Sequence, residues 1–295
     1  MAVGAVHAAL EAGYNYIDTA PLYGYGQAEM YLSTALAEVP RDSYVLSTKV
    51  GRVLDPISAE EARARDEKFF LNAAPNDFHW DLSRDGVRRS LEDSLTRLRL
   101  DRVDVLYIHM FPEFYEEVLA TTYPAVLELK REGLVRAVGV GVDFVEPLVK
   151  FVREGADFDL FMLAGRYTLL EYSALDELLP MCEKAGIYVT LAGPYNSGIL
   201  AAGLDEDIGP GAKYTYEDAP PEIIERARLI KAVCDGHGVP LRAAALQFGT
   251  AHPAVAATVP GARSREEALD NAAMIGLPIP SELWTELKTE RLVPE

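Results

Sequence analysis

The chain repeats one pattern seven times: a short apolar run, then a segment with helical spacing. The apolar runs start near Tyr14, Tyr44, Val103, Val135, Phe158, Ile187 and Val255. Most lack the alternation of a half-exposed strand, as expected of strands buried on both faces. Strand–helix repetition favours parallel pairing, because a helical crossover returns the chain to the end where it began. The intervening segments carry apolar stripes. Val87, Leu91, Leu95 and Leu98 form one, with Ser83 as a candidate N-cap. Ile223, Ala227, Ile230 and Cys234 form another. A further helix is expected over residues 2–12. One orphan helix and seven strand–helix units fall one strand short of a (β/α)8 barrel.

Parallel α/β folds place their chemistry at the C-terminal ends of the strands. Three of these runs end on reactive side chains. The first ends at Asp18, and a tight loop carries Tyr23 five positions later, before a helix from about Gln27. The second ends at Lys49 and the third at His109. The four types have a joint use. A lysine beside a phenol favours the phenolate. An acid beside the lysine holds it charged and in place. A histidine orients a substrate oxygen or passes a proton.

Composition narrows the class. With 295 residues, 49% of them hydrophobic, the chain can bury a large core, and we expect a single domain over 1–295. The net charge of −18, from 28 basic and 46 acidic residues, argues against nucleic acid and anionic membrane as partners. No apolar run approaches the ~20 residues of a membrane span. The N-terminus has no basic region and carries Glu11 early, which argues against a signal peptide and for a cytoplasmic protein. The two cysteines, Cys182 and Cys234, read as reduced structural thiols. No metal site is expected, because no CxxC or paired-histidine spacing occurs. His7, His79, His237 and His252 read as surface or capping residues.

The segments Asp18–Glu29 (DTAPLYGYGQAE), Ser47–Lys49 (STK) and Tyr107–His109 (YIH) resemble the aldo/keto reductase family. The run WDLSRDGVRRSLEDSLTRLRLDRVDVLYIH, from Trp80 to His109, is similar to its aldose 1-dehydrogenase and pyridoxal dehydrogenase branch. The resemblance extends from Met1 to about Asn271. It implies a (β/α)8 TIM barrel that uses NAD(P), with Asp18, Tyr23, Lys49 and His109 as the catalytic set. The family's N-terminal hairpin and first barrel strand have no counterpart in the sequence. The resulting expectation is a longer natural N-terminus, or an open barrel edge that favours a homo-oligomer.

Other stretches bear on ligands. Gly51 to Asp81 is the longest irregular stretch, charged and then aromatic with Phe69, Phe70, Phe78 and Trp80. A long rim loop suits a lid. Trp80 is the candidate pocket wall for a sugar or pyridine ring, and anchoring of the loop is the plainer alternative. The loop Gly193-Pro194-Tyr195-Asn196-Ser197-Gly198 offers small residues and free N–H groups after a late strand, which suits a pyrophosphate and resembles the family's pyrophosphate loop. Leu204 to Pro221 reads as an exposed acidic connection.

The resemblance also implies contacts that this sequence alters. Many family members carry a Ser-Asn pair for the nicotinamide carboxamide where this chain has Val142-Asp143, so Asp143 is either a substitute acceptor or a helix cap. Ala164 stands where relatives carry a glutamine for the same group. Val259 to Asn271 resembles the adenosine-phosphate site, with Gly261, Arg263, Ser264, Glu267 and Asn271 as candidates and Asn271 facing the adenine. NADP-preferring members have lysine and arginine where Gly261 and Glu267 stand. A carboxylate repels a 2′-phosphate and accepts from a 2′-hydroxyl, so NAD is expected over NADP, with Arg263 as the counter-argument. The expected reaction is oxidation of the hemiacetal carbon of an aldose, or of pyridoxal, to a lactone. The alternatives are an NADPH-dependent carbonyl reductase and a non-catalytic nucleotide-binding barrel.

Overall fold

The computed structural model describes residues 1–65, 70, 73–203, 206–209 and 211–294. Its strands are β1 (Tyr16–Asp18), β2 (Val45–Val50), β3 (Arg52–Pro56), β4 (Asn76–Trp80), β5 (Val105–His109), β6 (Ala137–Val142), β7 (Leu160–Ala164), β8 (Tyr188–Ala192), β9 (Lys213–Tyr214), β10 (Glu217–Asp218) and β11 (Val255–Val259). The main sheet has seven strands among the described residues, in the order β1-β2-β5-β6-β7-β8-β11. These are the seven expected apolar runs, and the first begins at Tyr16 rather than Tyr14. The chain clusters into two compact units.

The first unit comprises Met1–Val142, Arg153–Phe161 and Arg263–Arg265. Parallel pairing sets Asp18 against Ser47 and Lys49 against Tyr107. Side chains alternate along a strand, so Tyr16 and Asp18, Ser47 and Lys49, and Tyr107 and His109 share faces. The bonds between them agree: the Tyr16 and Tyr107 hydroxyls lie 2.9 Å apart, and Ser47 Oγ donates to Asp18 Oδ1 at 2.6 Å. Thr48 takes the opposite face, where its hydroxyl donates to the fully buried Glu29 at 2.7 Å. Glu29 sits in the first turn of helix Gln27–Leu36, where a carboxylate meets the positive end of the helix dipole. It also accepts from Arg97 Nε at 2.7 Å. That pair pins the helix to the strand that carries Lys49.

Two expectations need correction here. Gly51 to Asp81 is not a plain loop. It folds as an antiparallel β3–β4 hairpin, with Arg52 opposite Trp80 and Leu54 opposite Phe78, and a helix at Ala59–Ala64. The helix has a Ser58/Glu61 capping box, a local signal that sequence reading passed over. Phe69 lies outside the described residues. The stripe on helix Arg84–Leu98 buries Val87, Leu91 and Leu98 but continues through Ser90 and Ser94, with Leu95 half-buried. Ser83 caps this helix by accepting from Gly86 N.

The second unit comprises Asp143–Val152, Met162–Ala262 and Glu266–Glu295. β8 and β11 pair in parallel. Ala227, Ile230 and Cys234 are buried together with Leu241, Leu283 and Leu287, and Ile223 packs against them. Within the expected acidic connection, β9 and β10 form a short, mostly exposed hairpin. Cys182 and Cys234 are free and buried, and burial pushes both thiols up to about 12. Thiols held protonated in this way are poor nucleophiles. Among the described residues, no helix is long and apolar enough to cross a membrane.

Candidate active site

Asp18, Tyr23 and Lys49 come together at the strand ends of the first unit. Lys49 is buried and donates to Asp18 Oδ2 at 2.6 Å and to the Thr19 carbonyl at 3.0 Å. Its Nζ lies 4.7 Å from the Tyr23 ring centroid. Burial works to lower the Lys49 ammonium, but the Asp18 carboxylate and then Tyr23 outweigh it, so the group stands above its ordinary value. Lys49 is therefore a fixed cation at any physiological pH.

The loop that presents Tyr23 is tightly specified. Gly24, Tyr25 and Gly26 are all left-handed, with φ of 61°, 53° and 95°. A side chain at Gly26 would press on Arg97 at 3.0 Å. Tyr25 holds a conformation that disfavours a non-glycine residue. Its ring is gripped by the Arg65 guanidinium at 3.6 Å and by Phe70 and Phe78 at 6.0 and 6.2 Å. Phe70 and Phe78 of the 51–81 stretch thus anchor the loop that carries Tyr23.

His109, at the end of β5, lies on the same face. Burial, then the positive charges of Arg52 and Lys49, push its imidazole well below the ordinary histidine range. It is a neutral hydrogen-bonding group across the physiological range. Arg52 and Ser47 are the two residues here that sequence reading missed. Ser47 could have been found, because it precedes Lys49 by two and must share its face. Arg52 could not, since its approach depends on Gly51. That glycine has φ of 113°, and a Cβ there would meet the His109 carbonyl at 2.9 Å.

The expected pocket wall, Trp80, is enclosed by Phe114 at 4.9 Å, Phe111 at 5.6 Å and Phe78 at 6.4 Å, with the Arg52 guanidinium 4.5 Å above its ring.

The second unit holds a separate pocket, lined among others by Asp143, Gly165, Arg166, Gly193, Asn196 and Ser197. Arg166 Nε donates to the Asp143 carbonyl at 2.6 Å, a contact with no obvious sequence signal. Asn196 and Ser197 are left-handed, with φ of 44° and 63°. Asn196 Nδ2 donates to the Gly165 carbonyl at 3.3 Å, while its buried Oδ1 has no partner among the described residues. A buried acceptor without a donor is costly. A nicotinamide dinucleotide offers ribose hydroxyls and a carboxamide NH2, so the pocket suits that cofactor. Pro194 is buried. Gly198 belongs to the same loop, with φ of 109°. Ser197 Oγ accepts from Tyr216 N, at the tip of the β9–β10 hairpin.

The late candidates divide. Gly261 is exposed, and its carbonyl accepts from Asn271 Nδ2 at 3.2 Å. Asn271 is buried and its Oδ1 accepts from Tyr195 OH at 2.7 Å, so its amide ties two loops together. Arg263 is exposed, and Ser264 and Glu267 are half-buried.

Comparison with known proteins places the chain. The aldo/keto reductase family pattern matches residues 1–290, and the chain belongs to that family. It is therefore an oxidoreductase that uses a nicotinamide cofactor. Among curated relatives, a D-threo-aldose 1-dehydrogenase of Pseudomonas sp is 40% identical, covering 98% of this chain and 87% of the relative. A pyridoxal 4-dehydrogenase of Microbacterium luteolum is 37% identical, with the same coverage of 98% and 87%. Among solved structures, the holo form of an aldo-keto reductase from Bacillus halodurans superposes with a TM-score of 0.77 at 24% identity, covering 99% of this chain and 87% of that one. That likeness shows the fold, the TIM barrel.

Proposed function

We propose that the protein oxidises the hemiacetal carbon of an aldose, or of the cyclic form of pyridoxal, to a lactone, with NAD as the preferred cofactor. The observation that carries the chemistry is the closed set of contacts around Lys49, to Asp18, Thr19 and Tyr23. The two dehydrogenase relatives support the substrate class.

Tyr23 is the proton acceptor in this reading. The substrate C1 hydroxyl gives its proton to the Tyr23 oxygen while the C1–H bond breaks and the C=O bond forms. Lys49, fixed as a cation by Asp18, stabilises the Tyr23 phenolate that takes this proton and becomes the neutral phenol. Ser47 orients Asp18 from its other carboxylate oxygen. His109, neutral, holds the reacting oxygen without adding charge. The nicotinamide ring, when bound, accepts the hydride. Asp143, Gly193, Asn196, Ser197 and Gly198 would hold the dinucleotide, and Arg166 joins them as a cation near its phosphates. Glu267 supports NAD over NADP, because a carboxylate repels a 2′-phosphate. Trp80 offers an apolar wall to the flat face of a sugar or pyridine ring.

The test is NADH formation with a panel of aldoses and pyridoxal, repeated with NADP. Turnover with NAD on one of them, and slower turnover with NADP, is expected. Reduction of aldehydes by NADPH with no sugar oxidation under any condition would replace this reading with the carbonyl reductase.

A further inference from the structure

Arg52 is a buried cation in an unusual place. It stands two residues past the end of β2, behind the left-handed Gly51, and is only 9% exposed. Its guanidinium lies 4.5 Å from the Trp80 ring centroid, 5.2 Å from Phe78 and 5.5 Å from Phe111. Trp80 and Phe78 come from β4, and Phe111 follows His109 by two residues. So one guanidinium bridges the hairpin to the end of the strand that carries His109. A planar cation among rings is a fixed group, because stacking on several faces leaves it few rotamers.

We propose that Arg52 is a positioning residue for the oxidation described above, locking Trp80 against Phe111 as the substrate wall and setting a permanent positive charge beside His109. The proposal rests on the functional reading for its substrate, and for the rest on the ring contacts of Arg52 and on the close approach of Gly51, its neighbour, to the His109 carbonyl. The charged groups that act on His109 are Arg52 from β3 and Lys49 from β2, and Lys49 is itself in contact with Asp18 and Tyr23. Asp18 is bonded to Lys49 and Ser47. Arg52 is the larger of the two charge effects that lower the His109 imidazole, after burial. A histidine flanked by two cations stays uncharged and can only hydrogen-bond. That suits a residue that orients a neutral hydroxyl and would be poorly served by a protonated ring competing with Lys49.

The two functions of Arg52 separate by substitution. Arg52→Met removes the charge and keeps the bulk. Arg52→Lys keeps the charge and loses the planar stack. The first readout is the imidazole NMR titration of His109 in the cofactor-free protein, assigned with His109→Asn. In Arg52→Met the midpoint moves to higher pH by roughly half to one unit, while Arg52→Lys stays near the parent. In turnover, the acid limb of kcat/KM moves to higher pH only in Arg52→Met. Arg52→Lys raises the sugar KM several-fold with the limb in place. A folded Arg52→Met protein with the parent's His109 midpoint and the parent's KM overturns the proposal. Should Arg52→Met not fold, Arg52→Lys decides: an unchanged KM overturns the wall, and a raised KM supports it. Because the titration needs no substrate, a shifted midpoint without sugar turnover would remove the substrate reading and leave this one standing.

Discussion

Around Lys49 the charged groups are already paired. The ammonium has Asp18, Thr19 and Tyr23, and the second carboxylate oxygen of Asp18 has Ser47. Around Asn196 the opposite holds. Its buried Oδ1 has no partner among the described residues, its backbone is left-handed, and the pocket lining sets Gly165 and Gly193 beside Asp143 and Arg166. The charges of the first region are paired with one another, while the second presents a buried side-chain acceptor that a ligand donor would satisfy. Chemistry of the proton-transfer kind needs pre-organisation, because groups that must reorient during the reaction lose their electrostatic advantage. Cofactor binding needs groups whose desolvation is repaid on binding. The contrast predicts where damage will be felt: loss of a group in the first region should cost rate or fold, and loss in the second should cost affinity.

The largest effect is expected at the reacting atom. Tyr23→Phe removes one oxygen from a preformed site and should lower kcat by about a thousandfold or more, on the order of 4 kcal/mol of barrier. NAD affinity, measured by titration of the protein's fluorescence, should stay within about twofold. Near-parental turnover would take Tyr23 out of the mechanism. A parallel collapse of NAD binding would mean that the two regions are not independent, and the comparison would fail.

The same contrast explains what could be read from sequence. The residues of the first region are carried by strand ends, and a strand's period of two fixes which side chains share a face. Asp18, Lys49 and His109 could therefore be placed from the order of apolar runs, and Ser47 could have been. Arg52 escaped because a single left-handed glycine turns the chain at Gly51 into a hairpin whose partner strand lies some twenty residues on. The alternation in Asn76–Trp80 was hidden inside a polar stretch. In the second region Asn196 is aimed by left-handed backbone and Arg166 by a loop contact to the Asp143 carbonyl, and no strand period announces either. Asn271 adds what the motif did not announce: its amide also ties the Gly261 carbonyl to the Tyr195 hydroxyl.

A second break concerns the scaffold behind the first region. Glu29 is fully buried and holds Arg97 and Thr48, which links the helix after the Tyr23 loop to β2. Glu29→Ala leaves the Arg97 cation, itself largely buried, without its carboxylate. Removing one partner of a buried pair costs on the order of 3 kcal/mol. Thermal unfolding should show a drop of several degrees for a chain of this size. The loss should be present with or without NAD, which marks a fold effect. An unchanged Tm would mean that the pair contributes nothing net, as some buried pairs do.

The smallest effect sharpens the contrast most. At Asn196 the backbone φ of 44° makes alanine a poor probe, since a Cβ is disfavoured there. Asn196→Gly removes the amide and tolerates that backbone. It deletes a 3.3 Å bond to Gly165 and also deletes the unpaired Oδ1. The two changes oppose each other at about 1 kcal/mol apiece. Cofactor-free Tm should therefore barely move. NAD affinity should fall about tenfold, the ~1.4 kcal/mol expected when a buried acceptor no longer meets a ligand donor. The rise in Tm that NAD gives the parent should shrink accordingly, because ligand stabilisation follows occupancy. Two outcomes speak against the pocket as drawn. A large loss of cofactor-free stability would make Asn196 a scaffold residue like Glu29. Parental NAD affinity would mean that the dinucleotide leaves Oδ1 unsatisfied, and the loop at Gly193–Gly198 would then hold its ligand through backbone N–H groups alone.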